Sequence, residues 1–299
     1  MFPQGGAEMA DPDRSAAHSA KLRGFYASLV ANPKAADPRV AAAFAAVPRE
    51  PFAGPGPWSI LAAHVWRTED RAPLYVTTPD DDPAFLYQDV LVALDAARGI
   101  NIGQPSLHAL CLDALAPRPG ETVVQVGTGS GYYTALLAHL VGPNGHVCGF
   151  EIDPGLSERA ARNLIPWPWA RVEARSGVDG SLPEADAIYV NAGAPRPARA
   201  WLDALRPEGR LLFPLQAANR RGGLLLIRRT AADAVWPARF VSMASFIPLQ
   251  GLPETGDDGL SEAFARRPFA AVRSIRFDAP PDAGCWYDGG TWWLSTRDP

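Results

Sequence analysis

Residues 121–153, ETVVQVGTGSGYYTALLAHLVGPNGHVCGFEID, decide the fold of this chain. Val123, Val124 and Val126 form a short apolar, β-branched run that predicts a buried strand. The glycine-rich segment 127–131 follows at once, and apolar residues then recur with the 3.6-residue period of a helix. The order strand, glycine turn, helix leaves backbone N–H groups open at the start of the helix, where they can face a bound ligand.

A second predicted strand, His146–Phe150, ends in Glu151, roughly twenty residues beyond the glycines. An acid at this place can accept hydrogen bonds from two ribose hydroxyls, so the pattern predicts a nucleoside site. Dinucleotide sites usually space their glycines as G-x-G-x-x-G/A, whereas the third glycine here comes one residue early. A glycine turn alone can be purely structural. Together with the acid, its spacing favours S-adenosylmethionine.

Length and composition exclude several classes of protein. The 299 residues, 47% hydrophobic and 20% charged, indicate one globular α/β domain with extensions. A formal net charge of −4 gives no basic field for nucleic acid, and no apolar run approaches the ~18–20 residues that cross a bilayer. Cys111, Cys148 and Cys285 lack C-x-x-C spacing, so we expect free thiols and no metal site. We therefore expect a cytoplasmic protein that binds neither nucleic acid nor a membrane.

Strand and helix patterns alternate along most of the chain, which indicates an α/β fold with a doubly wound, mostly parallel, seven-stranded sheet. We divide the chain into a flexible leader at 1–19, a main domain at 20–250 and a small α/β extension at 251–299. N-terminal helices open the main domain, followed by an irregular cover at 53–83 that is rich in proline, glycine and aspartate. The extension ends in a hairpin whose three tryptophans either pack on the domain or form a peptide-binding face.

Several segments outside the glycine turn form a second pattern. They are AFAAVPREPF at 43–52, Tyr87-Gln-Asp89, Ile102-Gly103-Gln104-Pro105 with His108-Ala109, VDG at 178–180, ADAIYVNAGA at 185–194, LRPEGRLLFPL at 205–215 and FIPLQ at 246–250. With the glycine turn, they make roughly 38–250 of this chain resemble the protein-L-isoaspartate O-methyltransferase family, a branch of the S-adenosylmethionine-dependent methyltransferases with a Rossmann-like fold. Val-Pro-Arg-Glu, the Gln-Pro segment and the Phe-Ile-Pro-Leu ending are more specific than the glycines.

The resemblance implies an enzyme that transfers a methyl group from S-adenosylmethionine to an isoaspartyl or aspartyl carboxylate in a protein or peptide. In the family the methyl ester then cyclises to a succinimide, which repairs damaged protein. A carboxylate is already ionised at neutral pH, so the reaction needs no general base. Alignment of the reacting groups can instead supply up to ~7–11 kcal/mol of barrier lowering.

Matching positions in the family imply a set of site residues. The acceptor side, treated as catalytic, is Gly103, Gln104, Pro105 and His108. The cofactor side is Ile102, Gly127, Thr128, Gly129, Ser130, Gly131, Glu151, Ile152, Val178, Asp179, Gly180, Asn191 and Gln250. We expect 127–131 to hold the methionyl end, Glu151 the ribose and Asp179-Gly180 the adenine. His108 and Asn191 also fit a purely structural role.

The main departure from the family pattern is Gly103, because the family has a serine there whose hydroxyl is implied to contact the substrate carboxylate region. One lost hydrogen bond to a charged group costs about 1.5–3 kcal/mol. Either the acceptor is held differently, or activity on ordinary isoaspartyl peptides is weak. Two alternatives therefore stay open: a dedicated tailoring methyltransferase that forms an aspartimide in a ribosomal peptide, and a catalytically weak S-adenosylmethionine-binding module.

Overall fold

The computed structural model describes residues 12–62, 75–231, 234–252, 259–277 and 280–299, with residues 12–16 described for the backbone alone. The helices in these ranges are α1 (Pro12–Val30), α2 (Pro38–Ala46), α3 (Glu50–Ala53), α4 (Pro105–Leu115), α5 (Tyr132–Val141), α6 (Pro154–Asn163), α7 (Arg199–Ala204) and α8 (Gly259–Arg266). The strands are β1 (Ser59–Ala62), β2 (Val76–Thr77), β3 (Val90–Asp95), β4 (Ile100–Asn101), β5 (Thr122–Val126), β6 (His146–Glu151), β7 (Ala170–Ala174), β8 (Ala185–Val190), β9 (Leu205–Gln216), β10 (Gly222–Arg228), β11 (Val235–Met243), β12 (Ser274–Arg276), β13 (Cys285–Asp288) and β14 (Trp293–Ser295).

The main sheet has ten strands in the order β13-β14-β12-β11-β10-β9-β8-β5-β6-β7. The five strands from β9 to β7 run parallel, and β10 and β11 pair antiparallel beside them. The doubly wound α/β class predicted from the sequence is confirmed. The sheet is wider than the predicted seven strands because the C-terminal strand β12 pairs with β11 and so covers an edge that would otherwise be open.

Helices cover both faces of this sheet, and side chains of β8 show how the two cores are divided. Ala187 and Tyr189 belong to one core with α1, α2, α4 and α5. Ile188 and Val190 belong to the other with α7 and α8. Successive strand residues point to opposite faces, so one strand is buried on both sides. Because β5 pairs in parallel with both β6 and β8, the carboxyl ends of these three strands lie side by side at one end of the sheet.

The N-terminal part is more regular than the sequence predicts. Helix α1 begins at Pro12, inside the predicted leader, while residues 1–11 lie outside the described residues. Proline is favoured in the first turn of a helix. The predicted irregular cover contains β1 and β2, which form a small sheet in the order β2-β1-β3-β4, and its residues 63–74 lie outside the described residues. The pairing of Ile60 with Val92 orders this segment, and local composition gave no sign of so distant a partner.

The tryptophan hairpin of the extension packs on the main domain. Trp286, Trp292 and Trp293 are only 1%, 4% and 3% exposed. The ring of Trp286 lies 5.4 Å from that of Phe240 in β11 and 5.2 Å from that of Phe264 in α8. Packing is therefore the role of these residues, and the alternative of a peptide-binding tryptophan face is not supported. Within the described ranges, no helix has both the length and the apolar character needed to cross a membrane.

Candidate active site

The chain passes from β5 to α5 through residues 127–131, and glycine makes this turn possible. Gly127, Gly129 and Gly131 have φ angles of +77°, +56° and +93°, a region that residues with side chains rarely adopt. The N–H of Gly127 donates to the carbonyl oxygen of Phe150 at 2.8 Å, which holds the turn against the end of β6. No side chain caps the first turn of α5. Its first N–H groups are therefore available to a ligand beyond the turn.

The carboxylate of Glu151 lies against this turn. Its Oε2 accepts a hydrogen bond from the Gly129 N–H at 2.7 Å, and its Oε1 accepts one from the Asp153 N–H at 3.1 Å. Burial raises the pKa of Glu151, whereas the two backbone donors, from Asp153 and Gly129, lower the pKa. The side chain is 7% exposed, and a carboxylate keeps lone pairs for further donors. Glu151 is thus placed to accept from hydroxyl groups in the cleft.

A cleft of about 1310 Å³ opens at the carboxyl ends of β5, β6 and β8. Twelve of the seventeen site residues named from the sequence line it: Ile102, Gly103, Gln104, His108, Gly127, Thr128, Gly129, Ser130, Glu151, Ile152, Asn191 and Gln250. The other five, Pro105, Gly131, Val178, Asp179 and Gly180, do not line it. The fold therefore brings most of the proposed acceptor and cofactor residues around one space.

Three polar atoms, in the turn after β5 and just beyond β8, have no hydrogen-bond partner among the described residues. They are Oγ1 of Thr128, Oγ of Ser130 and Oδ1 of Asn191, and all three are buried. Buried polar groups are nearly always paired, so these atoms indicate a ligand that completes them. Open N–H groups, unpaired polar side chains and a buried acid fit S-adenosylmethionine, which carries an amino-acid tail and a ribose.

The loop after β7 is placed differently from the sequence prediction. Ser176 and Gly177 line the cleft, whereas Asp179 is exposed to solvent. Arg175 donates to the carbonyl oxygens of Ser176, Asp179 and Ser181, and so curls the loop around its own guanidinium. The Val-Asp-Gly pattern identifies the loop that borders the cleft, but not the residues of that loop that line it. The arginine that shapes this loop decides which of its residues reach the cleft.

Asp89 fixes the segment on the opposite side of the cleft. Its Oδ1 accepts from the Ser106 N–H at 2.9 Å, and its Oδ2 accepts from the Ser106 hydroxyl at 2.7 Å and from Gln104 Nε2 at 3.2 Å. A carboxylate at this place satisfies an otherwise unpaired N–H at the start of α4 and complements the positive end of the helix dipole. The Gly103 N–H donates to Oδ1 of Asn101 at 2.8 Å. Residues 101–106 are therefore held from both ends.

Arg49 supports the segment that carries Asp89. It is fully buried, and its guanidinium donates to the carbonyl oxygens of Leu86, Gln88 and Val90. The guanidinium carbon also lies 5.4 Å from the ring centroid of Tyr26. The sequence marked Arg49 only through the Val-Pro-Arg-Glu motif and assigned it no role. Its partners are separated from it by about forty residues, so only the folded chain reveals them.

A third segment, 246–250, closes the far side of the cleft. Gln216 holds it at one end, because its Oε1 accepts from the Phe246 N–H at 2.8 Å and its Nε2 donates to the Phe246 carbonyl at 3.0 Å. Gly193 holds the middle, donating to Ile247 and accepting from the Leu249 N–H, each at 2.8 Å. Gln250 lines the cleft at the end of this segment.

His108 is buried at the base of the acceptor side. Its ring stacks on that of Tyr133 with centroids 3.5 Å apart and planes 10° apart, and its Nδ1 lies 2.6 Å from the hydroxyl of Tyr189. Burial lowers the pKa of His108 to about 3, and the positive charge of Arg49 acts in the same direction. His108 is therefore neutral at physiological pH.

The lowered pKa predicts acid-sensitive folding. In the unfolded chain His108 takes up a proton near its ordinary pKa of 6.5, whereas in the folded chain it does so only near 3. Its contribution to stability is thus complete above about pH 6.5 and is lost as the pH falls towards 3. We expect the unfolding free energy of the wild type to fall more steeply between pH 6 and 4 than that of His108→Gln, by up to about 1.4 kcal/mol per pH unit. Urea denaturation across this range measures the two slopes, and equal slopes would contradict a neutral, buried His108.

Comparison with known proteins gives consistent matches. A family profile described as Protein-L-isoaspartate(D-aspartate) O-methyltransferase matches residues 70–253. A protein named protein-L-isoaspartate O-methyltransferase from Methanopyrus kandleri is 34% identical over 197 residues, covering 64% of this chain and 83% of the relative. One of the same name from Anaeromyxobacter dehalogenans is 38% identical over 196 residues, covering 62% of this chain and 91% of the relative.

Solved structures agree on the fold. A structure named protein-L-isoaspartate O-methyltransferase superposes with a TM-score of 0.61 at 21% identity, covering 81% of this chain and 68% of that one. A Plasmodium falciparum protein described as a beta-aspartate methyltransferase, in complex with S-adenosyl-L-homocysteine, gives a TM-score of 0.58 at 20% identity and covers 78% of this chain and 99% of its own. At these identities the two structures bear on the fold alone.

Proposed function

Because the chain belongs to the protein-L-isoaspartate O-methyltransferase family, we propose that its cleft methylates the free carboxylate of isoaspartyl residues in proteins or peptides. The chain is an S-adenosylmethionine-dependent methyltransferase. The names of its relatives specify isoaspartyl residues in proteins as the substrate, and we propose the same substrate for this chain. This proposal rests on the way the fold sets the acceptor segment against the cofactor turn.

One contact carries this proposal. Tyr133, in the first turn of α5, stacks on His108, and its hydroxyl donates to the Gly103 carbonyl at 3.4 Å. The helix that starts at the glycine turn therefore touches the segment where the family binds its acceptor. A methyl donor held at the turn and a carboxylate held at Gly103 would meet in the same cleft.

The residues around the cleft fit the cofactor. We propose that the backbone of 127–131 holds its amino-acid tail and that Glu151 accepts from the ribose hydroxyls. The unpaired atoms of Thr128, Ser130 and Asn191 support this assignment. Ile152 is 46% exposed beside the cleft, an apolar surface suited to the adenine ring. Ser176 and Gly177 take the place that the sequence gave to Asp179-Gly180.

Methyl transfer to a carboxylate requires that the reacting groups be aligned, and it requires no proton transfer. When bound, S-adenosylmethionine supplies a methyl group whose bonding electrons stay on sulfur as the carboxylate oxygen takes the carbon, so no proton moves. A carboxylate is ionised at neutral pH, and this chain needs no residue to accept a proton. Buried His108, being neutral, neither abstracts a proton nor pairs with the acceptor as a cation. Segments 101–106 and 246–250 restrict the approach of the acceptor and exclude water.

The proposal extends to partners, domains and compartment. We propose that the acceptor is a damaged protein or peptide and that 20–250 forms the catalytic unit; the family match covers 70–253 and so supports the larger, C-terminal part of this unit. The three cysteines are free thiols, which supports a reducing cytoplasm. Relatives with 31–40% identity carry the protein-L-isoaspartate O-methyltransferase name. They favour this activity over a peptide-tailoring enzyme or a weak S-adenosylmethionine-binding module.

Incubation with S-adenosylmethionine labelled on its methyl group tests the proposed function. An isoaspartyl peptide should gain a base-labile methyl ester, whereas the same peptide with a normal aspartyl residue should gain little. The matched peptide controls for unspecific esterification of carboxylates. No ester above the level seen without enzyme would refute methylation of isoaspartyl residues, and label in the aspartyl peptide alone would point to a different acceptor.

Replacing Asp89 should weaken acceptor use without touching the cofactor. In Asp89→Asn the amide group replaces one of two oxygens that hold Ser106 and Gln104, and each lost bond costs about 1.5–3 kcal/mol. We expect kcat/KM for the peptide to fall by about tenfold or more. The Kd for S-adenosylhomocysteine, measured by calorimetry, should change less than about twofold. Asp203→Asn, which removes an exposed ion pair with Arg199, is the control, and an equal loss of cofactor affinity in Asp89→Asn would contradict a local role.

A further inference from the structure

His108 can occupy its position only because residue 103 has no side chain. Gly103 has φ +93°, and a Cβ built on it would stand 2.4 Å from Nε2 and 3.0 Å from Cδ2 of His108. Carbon atoms do not approach so closely, so one of the two groups would have to move. The imidazole has little freedom to do so, because it is stacked on Tyr133 and bonded to Tyr189. A side chain at 103 and this position of His108 exclude each other.

The absence of a side chain at 103 leaves Nε2 of His108 uncovered. His108 is 2% exposed and lines the cleft, with its Nδ1 turned inward to Tyr189. Nε2 lies on the far side of the ring, towards Gly103. No hydrogen bond from the described part of the chain is made to Nε2. A ring nitrogen without a partner among the described residues therefore faces the acceptor side of the cleft.

The Gly103 N–H and the neighbouring side-chain donors are already engaged. The Gly103 N–H donates to Oδ1 of Asn101, so this backbone amide is not free. The side-chain amide of Gln104 donates to Asp89 and to the Ser106 hydroxyl, and that hydroxyl donates to Asp89. Among the side-chain N–H and O–H groups of the described residues 103–108, Nε2 of His108 is the one left open to a ligand.

The partners of His108 favour a proton on Nε2. Burial raises the pKa of Tyr189 well above its ordinary value, so its hydroxyl stays protonated. Tyr189 can then donate its own proton to Nδ1 of His108. With Nδ1 as acceptor, a neutral imidazole carries its hydrogen on Nε2. The buried chain of groups thus supports a donor aimed at the cleft.

We propose that the Nε2–H of His108 binds the acceptor carboxylate in this protein, in the place of the hydroxyl that the family carries at position 103. The assignment rests on the proposed function. One carboxylate oxygen accepts the hydrogen bond while the other stays free to attack the methyl group. A neutral donor orients the carboxylate without neutralising it, which preserves its nucleophilic character. Glycine at 103 is then the condition for acceptor binding rather than a sign of lost activity.

Kinetics of three variants test the assignment. His108→Leu removes the donor, and we expect kcat/KM for an isoaspartyl peptide to fall about ten- to hundredfold. His108→Gln offers an amide N–H and should retain more activity than His108→Leu. Gly103→Ser should lower kcat/KM rather than raise it, because its side chain displaces the imidazole. Binding of S-adenosylhomocysteine should change less than about twofold in all three, and His146→Gln, at an exposed histidine, is the control.

Nitrogen NMR on the wild type keeps the test independent of variants that fail to fold. With ¹⁵N-labelled histidine and S-adenosylhomocysteine bound, His108 should show the Nε2–H tautomer, and the isoaspartyl peptide should shift its Nε2 signal. An Nδ1–H tautomer in the peptide complex, or equal kcat/KM for His108→Leu and wild type, would overturn the assignment while leaving the proposed function intact. Wild type that forms no ester with the peptide would overturn both.

Discussion

Glu151→Ala should reduce the affinity for S-adenosylhomocysteine by roughly a hundredfold to ten-thousandfold. The expectation follows from two hydrogen bonds between ribose hydroxyls and a charged acceptor, each worth about 1.5–3 kcal/mol. The same substitution removes the acceptor of the Gly129 N–H, so the glycine turn also loses one of its contacts with β6. Titration calorimetry gives the ratio of the two Kd values directly. At saturating cofactor, the kcat of the variant should return part of the way to that of wild type.

Glu158→Gln is the matched control for this prediction. Glu158 lies on the exposed side of α6, seven residues further along the chain, and makes a surface ion pair with Arg162 at 3.9 Å. Its replacement should leave the Kd within about twofold, because exposed ion pairs contribute little. If Glu151→Ala binds S-adenosylhomocysteine as tightly as Glu158→Gln does, Glu151 does not hold the nucleoside, and the cofactor assignment for the whole turn fails.

Arg49→Met should destabilise the fold by about 3–5 kcal/mol. Methionine fills much of the same volume but removes the guanidinium donor from the carbonyl oxygens of Leu86, Gln88 and Val90, of which Gln88 keeps the Val90 N–H. A buried polar group left unpaired costs about 1–3 kcal/mol. The loss is a large fraction of the 5–15 kcal/mol that stabilises most domains, so the urea midpoint should fall clearly. Acceptor kcat/KM should fall as well, because these carbonyls belong to the segment that carries Asp89.

Arg39→Met serves as the comparison, since Arg39 is partly exposed and, among the described residues, forms an ion pair only with nearby Asp37. We expect it to cost less than about 1 kcal/mol. A loss of less than about 1 kcal/mol in Arg49→Met would mean that other groups or water replace the guanidinium. The role of Arg49 as the support of the acceptor side would then have to be abandoned.

The proposed cofactor residues could be assigned to one place from the sequence because most of them are nearly consecutive. Valines with a strand pattern, three glycines and a helical period occupy one short stretch, and Glu151 follows on the next strand. Each feature reflects a local preference of the backbone. Parallel strands then bring their carboxyl ends together, so the turn and the acid meet without further information.

For the acceptor side, the sequence suggests which residues take part but not which of them contact each other. From the sequence, Gly103 allows either an acceptor that is held differently or weak activity, because a resemblance compares one position at a time. The structure pairs it with His108, five residues away but brought onto Gly103 by the turn into α4. The exposure of Asp179 was missed for a similar reason, since Arg175 shapes its loop through carbonyl oxygens that have no signature in the sequence.

The sequence by itself determined the α/β class, the glycine turn, the acid beside it and the family, because these depend on local backbone preferences and on motifs of adjacent residues. Only the tertiary structure decided which groups are left without a partner. It placed Arg49 on three distant carbonyls, bound Asp89 to the start of α4 and added three C-terminal strands to the sheet. Hydrogen bonding and burial between distant residues depend on the path of the whole chain. The open nitrogen of His108 is therefore visible only in the folded protein.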